Sequence, residues 1–157
     1  LTQGVKGAVP AVMLLALAYS INSLSKTMGT ADYIISMSEG FLTPALLPAI
    51  IFVISAIMAF ATGSSWGTFA ICMPIALPLA FTFTGGELGT LVYACFGAVA
   101  GGGVFGDHCS PLSDTTVLSS TGSASDHIDH VQTQLPYALC CGALAIIVYL
   151  IIGFTSL

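Results

Sequence analysis

The sequence predicts an all-α, polytopic membrane protein of about five membrane segments, with a helical hairpin and a broken helix among them. Two observations carry that class. Hydrophobic residues make up 56% of the chain and charged residues 6%, whereas a soluble domain is about 25% charged. So few charges cannot cover the surface of a soluble fold of 157 residues. The second observation is where the charges are missing. No Asp, Glu, Lys or Arg occurs in 7–25, 40–86, 88–106 or 131–157, and a spanning helix needs about 20 mostly apolar residues. The second window is long enough to cross twice.

The elements follow in order. Ala8 to Leu24 reads as a first helix, with Pro10 in its opening turn, where proline is tolerated. Lys26 to Gly40 is a loop, in which Asp32 caps a short interfacial helix reaching Met37. Pro44 to Ala61 is a second apolar helix, and it stops at Thr62-Gly63-Ser64-Ser65-Trp66-Gly67. Helical sequence resumes at Thr68 and runs to about Phe83, bent or shortened by Pro74 and Pro78. Irregular polar backbone at membrane depth survives only inside protein or beside water. The polarity of 62–67 therefore favours a hairpin whose tip dips into the protein over two helices joined at a membrane face.

Gly85-Gly86-Glu87 turns the chain into a helix from about Leu88 to Val104. Its small residues, Gly97 to Gly103, suit close helix–helix approach, and packing alone explains them. Next comes Gly106-Asp107-His108-Cys109-Ser110-Pro111-Leu112-Ser113-Asp114-Thr115-Thr116. Ser110 before Pro111 has the form of an N-cap followed by proline at the first helical position. The helix is thus expected to break near Gly106 and restart near Pro111. Ala124 to Leu135 reads as a short interfacial helix, with Pro136 opening a last span from Tyr137 to Phe154.

Several classes drop out. The seven acids sit beside only Lys6 and Lys26, giving a net charge of −5. No basic patch exists, so nucleic acid is not a partner, and so few cations leave membrane orientation unreadable. The five cysteines include no CxxC pair, and four lie in apolar runs where cysteine acts as a small hydrophobe. Neither a disulfide nor a metal–thiolate site is expected, and no cofactor. The chain opens on Leu1 without the marks of a signal peptide, and it reads as the C-terminal part of a longer protein.

A hairpin tip followed by a broken helix is a membrane device for holding ions. Half-helix N-termini present N–H groups, while C-termini and unwound carbonyls suit cations. Asp107, just past the expected helix end, and Asp114, in the first turn of the next half-helix, are the candidate carboxylates for a cation such as Na⁺. Ser110, Ser113, Thr115, Ser64, Ser65 and Thr68 can add hydroxyl oxygens. A buried carboxyl takes a proton more readily, and one at a helix N-terminus holds its charge. Proton exchange is therefore placed on Asp107 first, with Asp114 as cation ligand or helix organiser. The blander alternative leaves both acids solvated in a surface loop. The flanking glycines and the matching break at Gly63 favour burial.

Two further patterns compete. Gly63 to Gly67 fits GxSxG, with Asp and His following in the order of a serine hydrolase, but that mechanism needs a strand–turn–helix around Ser65. An intramembrane serine hydrolase is the remote alternative. His127 and His130 stand one helical turn apart beside Asp126 and Asp129. No second ligand cluster accompanies them, so a polar connector at headgroup level is preferred to a metal site. Trp66 suits an interfacial anchor or a packing and gating role equally.

Ala61 to Thr68, together with Gly106 to Thr116, resembles the signature stretches of NhaC-type Na⁺/H⁺ antiporters. Leu118-Ser119-Ser120-Thr121-Gly122, Asp129-His130-Val131 and Gln134-Leu135-Pro136-Tyr137 look like the same family's continuation. The resemblance implies a multi-pass carrier of the plasma or inner membrane, exchanging Na⁺ for H⁺ by alternating access. Some relatives move organic anions or amino acids instead. It also implies a fold of inverted repeats, each supplying a hairpin and a broken helix. Residues 1–157 would be the C-terminal repeat, with the N-terminal repeat of the same protein as partner and a homodimer as a candidate assembly.

Overall fold

The computed structural model describes residues 43–156 continuously, and before them only 16, 20, 23–24, 27–29 and 33. The helix expected at Ala8–Leu24 and the interfacial helix expected from Asp32 to Met37 therefore lie largely outside the described residues. Among the described residues the protein is all helix, without strands: α1 (Leu47–Thr62), α2 (Ser65–Phe83), α3 (Thr90–Cys109), α4 (Asp114–Gly122) and α5 (His127–Thr155). Helices α2, α3 and α5 are long and apolar enough to cross a membrane, and α1 is a shorter apolar helix.

Helices α1 and α2 form the expected hairpin. Pro48 sits in the first turn of α1, where its missing N–H costs nothing. Gly63 ends that helix in the left-handed region at φ 64° and donates its N–H to the Ala59 carbonyl at 2.8 Å. Ser64 immediately caps α2, its Oγ accepting from the Gly67 N–H at 3.2 Å. Two residues thus reverse the chain. Pro74 and Pro78 both lie inside α2.

Helix α3 is the central element, packed most extensively on α1 and also against α2 and α5. Its small residues divide among these neighbours. A Cβ on Gly102 would come within 2.9 Å of the Ser55 Cβ, and one on Gly106 within 2.8 Å of the Ala59 Cβ, both on α1. Gly103 lies against the Phe69 ring of α2, and Gly101 against the Tyr149 hydroxyl of α5. Close backbone approach, not flexibility, is what these positions provide. Phe52 fills the remaining space, with ring contacts to Phe105 at 5.8 Å and Tyr149 at 5.5 Å.

Two boundaries differ from expectation. Helix α3 does not break near Gly106 but continues to Cys109, because Gly106 serves contact with α1. The break occupies residues 110–113, and α4 begins at Asp114. Ser110 consequently ends α3 instead of capping α4, and Pro111 lies in the turn. Likewise, no separate connector helix precedes the last span. Helix α5 is continuous over 29 residues with Pro136 inside it. Its true start is at Asp126, whose side chain accepts from the N–H groups of Ile128 at 2.9 Å and Asp129 at 3.2 Å. A proline is tolerated within a membrane helix when neighbouring groups satisfy the freed carbonyl. At 1.5 Å per residue α5 runs about 44 Å, longer than the ~30 Å hydrocarbon core.

Candidate functional site

The hairpin tip and the α3–α4 break meet. A Cβ on Gly63 would stand 2.7 Å from the carbonyl carbon and oxygen of Leu112 and 2.9 Å from the amide nitrogen of Ser113. Backbone lies on backbone there, and only glycine combines that approach with a left-handed φ. A second tie comes from Ser110, fully buried, whose hydroxyl donates to the Phe60 carbonyl at 2.7 Å and accepts from the Leu112 N–H at 3.1 Å. The break is therefore held against the end of α1 by both main chain and side chain.

At the break one hydroxyl, that of Ser113, bonds the Asp107 carboxylate. Asp107 is not past the end of α3, as expected from sequence, but in that helix's last turn, and it is buried at 9% exposure. Ser113 is fully buried and donates its hydroxyl proton to Asp107 Oδ1 at 2.6 Å. With that proton committed, Thr115 Oγ1 is the donor in its 2.7 Å contact with Ser113 Oγ. The result is a directional chain of hydroxyls running from exposed Thr115 through Ser113 to the buried carboxylate.

Ser113 occupies the N-cap position of α4 yet makes no capping hydrogen bond from its side chain. A serine there usually contributes about 1 kcal/mol by bonding a first-turn N–H. Here that hydroxyl is diverted to a carboxylate. Local rules are broken in this way most often where function requires it.

The other expected site residues fare differently. Asp114 opens α4 but is exposed, and among the described residues its side chain has no hydrogen-bond partner. The Ser64 carbonyl accepts from the buried Thr68 hydroxyl at 3.0 Å, and Ser64 Oγ caps α2, so both residues are engaged inside the tip. Ser65 is the first residue of α2 and only half-buried. Its surroundings are helix–turn–helix, so the strand that a nucleophile elbow requires is replaced by α1. Trp66 is exposed and meets Phe69 edge-on at 5.9 Å.

Residues beyond the expected set also contribute. His127, read from sequence as a headgroup-level residue, points one ring nitrogen, Nε2, at the Pro111 carbonyl at 2.8 Å and the other, Nδ1, at Ser120 Oγ at 3.1 Å. Among the described residues no three His, Cys, Asp or Glu side chains group as metal ligands. Thr116 donates to the His108 carbonyl at 3.3 Å, and Gln134 Nε2 bonds the same oxygen. The signal for Thr116 and Ser120 was present: with Ser113 they recur at i, i+3 and i+7, a buried polar stripe down α4.

Comparison with known proteins agrees with the motif resemblance. Residues 1–154 match the model of the Na⁺/H⁺ antiporter family. The chain is 46% identical over 152 residues to an uncharacterized protein of Haemophilus influenzae, covering 97% of this chain and 28% of that protein. It is 33% identical over 146 residues to the arginine/ornithine antiporter of Halobacterium salinarum, covering 93% and 29%. With the malate-2H⁺/Na⁺-lactate antiporter of Bacillus subtilis it shares 31% over 157 residues, covering 98% and 32%. The chain thus spans about a third or less of the length of these relatives. No solved structure matches it. The family and the relatives named for an activity are antiporters, not hydrolases, and the hydrolase alternative is set aside.

Proposed function

This chain belongs to the Na⁺/H⁺ antiporter family, and on that premise we propose that it forms the C-terminal, ion-binding repeat of a sodium/proton exchanger working by alternating access. The observation that carries the proposal is the buried Asp107 carboxylate, bonded by Ser113 and through it linked to Thr115, beside a break that packs on the tip of the hairpin. A carboxylate with hydroxyl oxygens beside it offers the oxygen donors a hard monovalent cation prefers. The same carboxylate accepts a proton. One site that takes either ion, but not both together, is sufficient for exchange.

Asp107 is the residue that alternates between sodium and proton. Ser113 and Thr115 lead from it toward the exposed side of the break, where Asp114 attracts cations and supports the start of α4. Ser110 and Gly63 lock the break to the hairpin, and Ser64, Ser65 and Thr68 build the tip that faces it. The partner would be an N-terminal repeat of the same protein, closing the site from the other side in a multi-pass carrier of the cell membrane.

A second reading has its own support, because relatives are named for arginine/ornithine and malate/lactate exchange. Such a carrier would hold a carboxylate or amino acid between Ser64, Ser65 and the helix N-termini. The charge pattern favours the cation: from residue 27 to residue 157 the chain has no Lys or Arg, so an organic anion finds no cationic side chain there other than histidine.

The deciding experiment is transport by the full-length protein in proteoliposomes. An imposed sodium gradient is expected to drive proton movement in the opposite direction. Half-saturating sodium should rise as pH falls, because protons compete for Asp107. A sodium gradient that moves no protons, alongside coupled uptake of an organic solute, replaces the first reading by the second.

A further inference from the structure

The break between α3 and α4 leaves carbonyls that a helix interior would satisfy, since the last turn of any α-helix has no N–H partners of its own. In an unwound membrane segment such oxygens are free to ligate cations. Here they are largely taken. The Asp107 carbonyl accepts from the Ser110 N–H at 3.1 Å and the Ser110 carbonyl from the Ser113 N–H at 3.3 Å. The His108 carbonyl is taken by Thr116 and by Gln134 of α5. The Pro111 carbonyl is taken by His127, also of α5, at 2.8 Å. His127 and Gln134 are seven residues apart, two turns of one helix face.

The geometry fixes how His127 works. A carbonyl only accepts, so Nε2 must carry a proton. Ser120 has one hydroxyl proton and two acceptors, the Val117 carbonyl at 2.9 Å and His127 Nδ1 at 3.1 Å. A neutral ring takes that proton at Nδ1. A charged ring donates from Nδ1, and Ser120 turns to Val117. The bond to Pro111 survives in both.

We propose that His127 and Gln134 are positioning residues: from α5 they strap the Pro111 carbonyl of the break and the His108 carbonyl in the last turn of α3, so that the shape of the break is held and the cation meets the side-chain oxygens at Asp107 in fixed places. The proposal rests on the cation reading above. It gives α5 a role in the site although, among the described residues, none of its side chains hydrogen-bonds Asp107. Groups that hold first-contact ligands in place typically change affinity or activity 10- to 100-fold when removed.

The test uses the full-length carrier with His127→Phe, His127→Gln and Gln134→Leu. Glutamine keeps both a donor and an acceptor, so it should stay close to wild type. His127→Phe and Gln134→Leu should each raise half-saturating sodium by about tenfold with a smaller change in maximal rate. They should also speed N-ethylmaleimide modification of Cys109, which is 2% exposed beside the break, as followed by peptide mass spectrometry. Should His127→Phe not fold, Gln134→Leu carries the test by itself. Unchanged Cys109 reactivity in the folded variants overturns the strap. Faster Cys109 reactivity with unchanged half-saturation overturns the positioning role. If the wild type carries an organic solute and no sodium, the cation reading has failed. Half-saturation for that solute, with Cys109 reactivity, then decides the strap separately.

Discussion

The hairpin tip and the α3–α4 break are both short polar interruptions between apolar helices, yet they spend their polar atoms in opposite ways. In the tip, Ser64 caps the helix that follows it and Thr68 bonds back to the Ser64 carbonyl. Its hydrogen bonds close on themselves. In the break, Ser113 forgoes its cap to bond Asp107, Ser110 reaches α1, and carbonyls are served by α5. The tip is a self-sufficient turn that presents a surface. The break is assembled by its neighbours around a carboxylate.

The largest expected effect falls on that carboxylate. Asp107→Asn keeps the size of the side chain and its bond to Ser113 but removes the charge, and should lower sodium-driven transport by about 100-fold or more, the upper end for loss of a metal-site group. Residual transport should also lose its dependence on pH. Near-normal exchange in proteoliposomes would move the chemistry away from the break altogether.

Gly63 is where the two regions touch, and Gly63→Ala tests the contact itself. The added Cβ meets Leu112 and Ser113 backbone, which has no rotamer to yield, and the left-handed φ adds strain of about 1 kcal/mol or more. Together these should cost on the order of 2–4 kcal/mol, read as a lower thermal midpoint of the purified carrier. A midpoint shift as small as that of an ordinary loop substitution would mean that tip and break do not depend on each other.

Paired serine variants then separate the regions. Ser113→Ala strands a buried carboxylate and should raise half-saturating sodium by about tenfold. Ser64→Ala should cost about 1 kcal/mol of stability through the lost cap and leave half-saturation unchanged. If both variants behave alike, the distinction between a structural tip and a functional break fails.

Much of this arrangement could be read before any coordinates. The charge-free windows located α1, α2, α3 and the apolar part of α5, and the polarity of Thr62–Gly67 and Asp107–Thr116 located both interruptions. What misled was local punctuation. Gly106 looked like a helix breaker, but it is the contact glycine of an unbroken helix against α1. The Ser110–Pro111 pair looked like a helix start, whereas the packing of α3 carries that helix to Cys109 and pushes the restart to Asp114. Pro136 looked like the opening of a span because its effect inside a helix depends on neighbours that sequence does not display. The role of His127 was invisible for the same reason, since its partner Pro111 lies 16 residues away in the chain.

The smallest expected effect belongs to Asp114, and it bears on which acid does the work. Sequence offered two carboxylates seven residues apart with nothing but position to separate them. Asp107 is buried and hydrogen-bonded, while Asp114 is exposed at the first turn of α4. An exposed carboxylate at a helix N-terminus attracts cations and steadies the helix, but water and salt screen its charge and keep the effect small. Asp114→Asn should therefore change half-saturating sodium by no more than about fivefold, with the effect fading as ionic strength rises and the pH dependence retained. The opposite pattern, in which Asp114→Asn abolishes pH-dependent exchange and Asp107→Asn leaves it intact, would exchange the two roles. The hydroxyl chain from Thr115 to Asp107 would then be a structural tie within the break, and the ion would be held on its outer side.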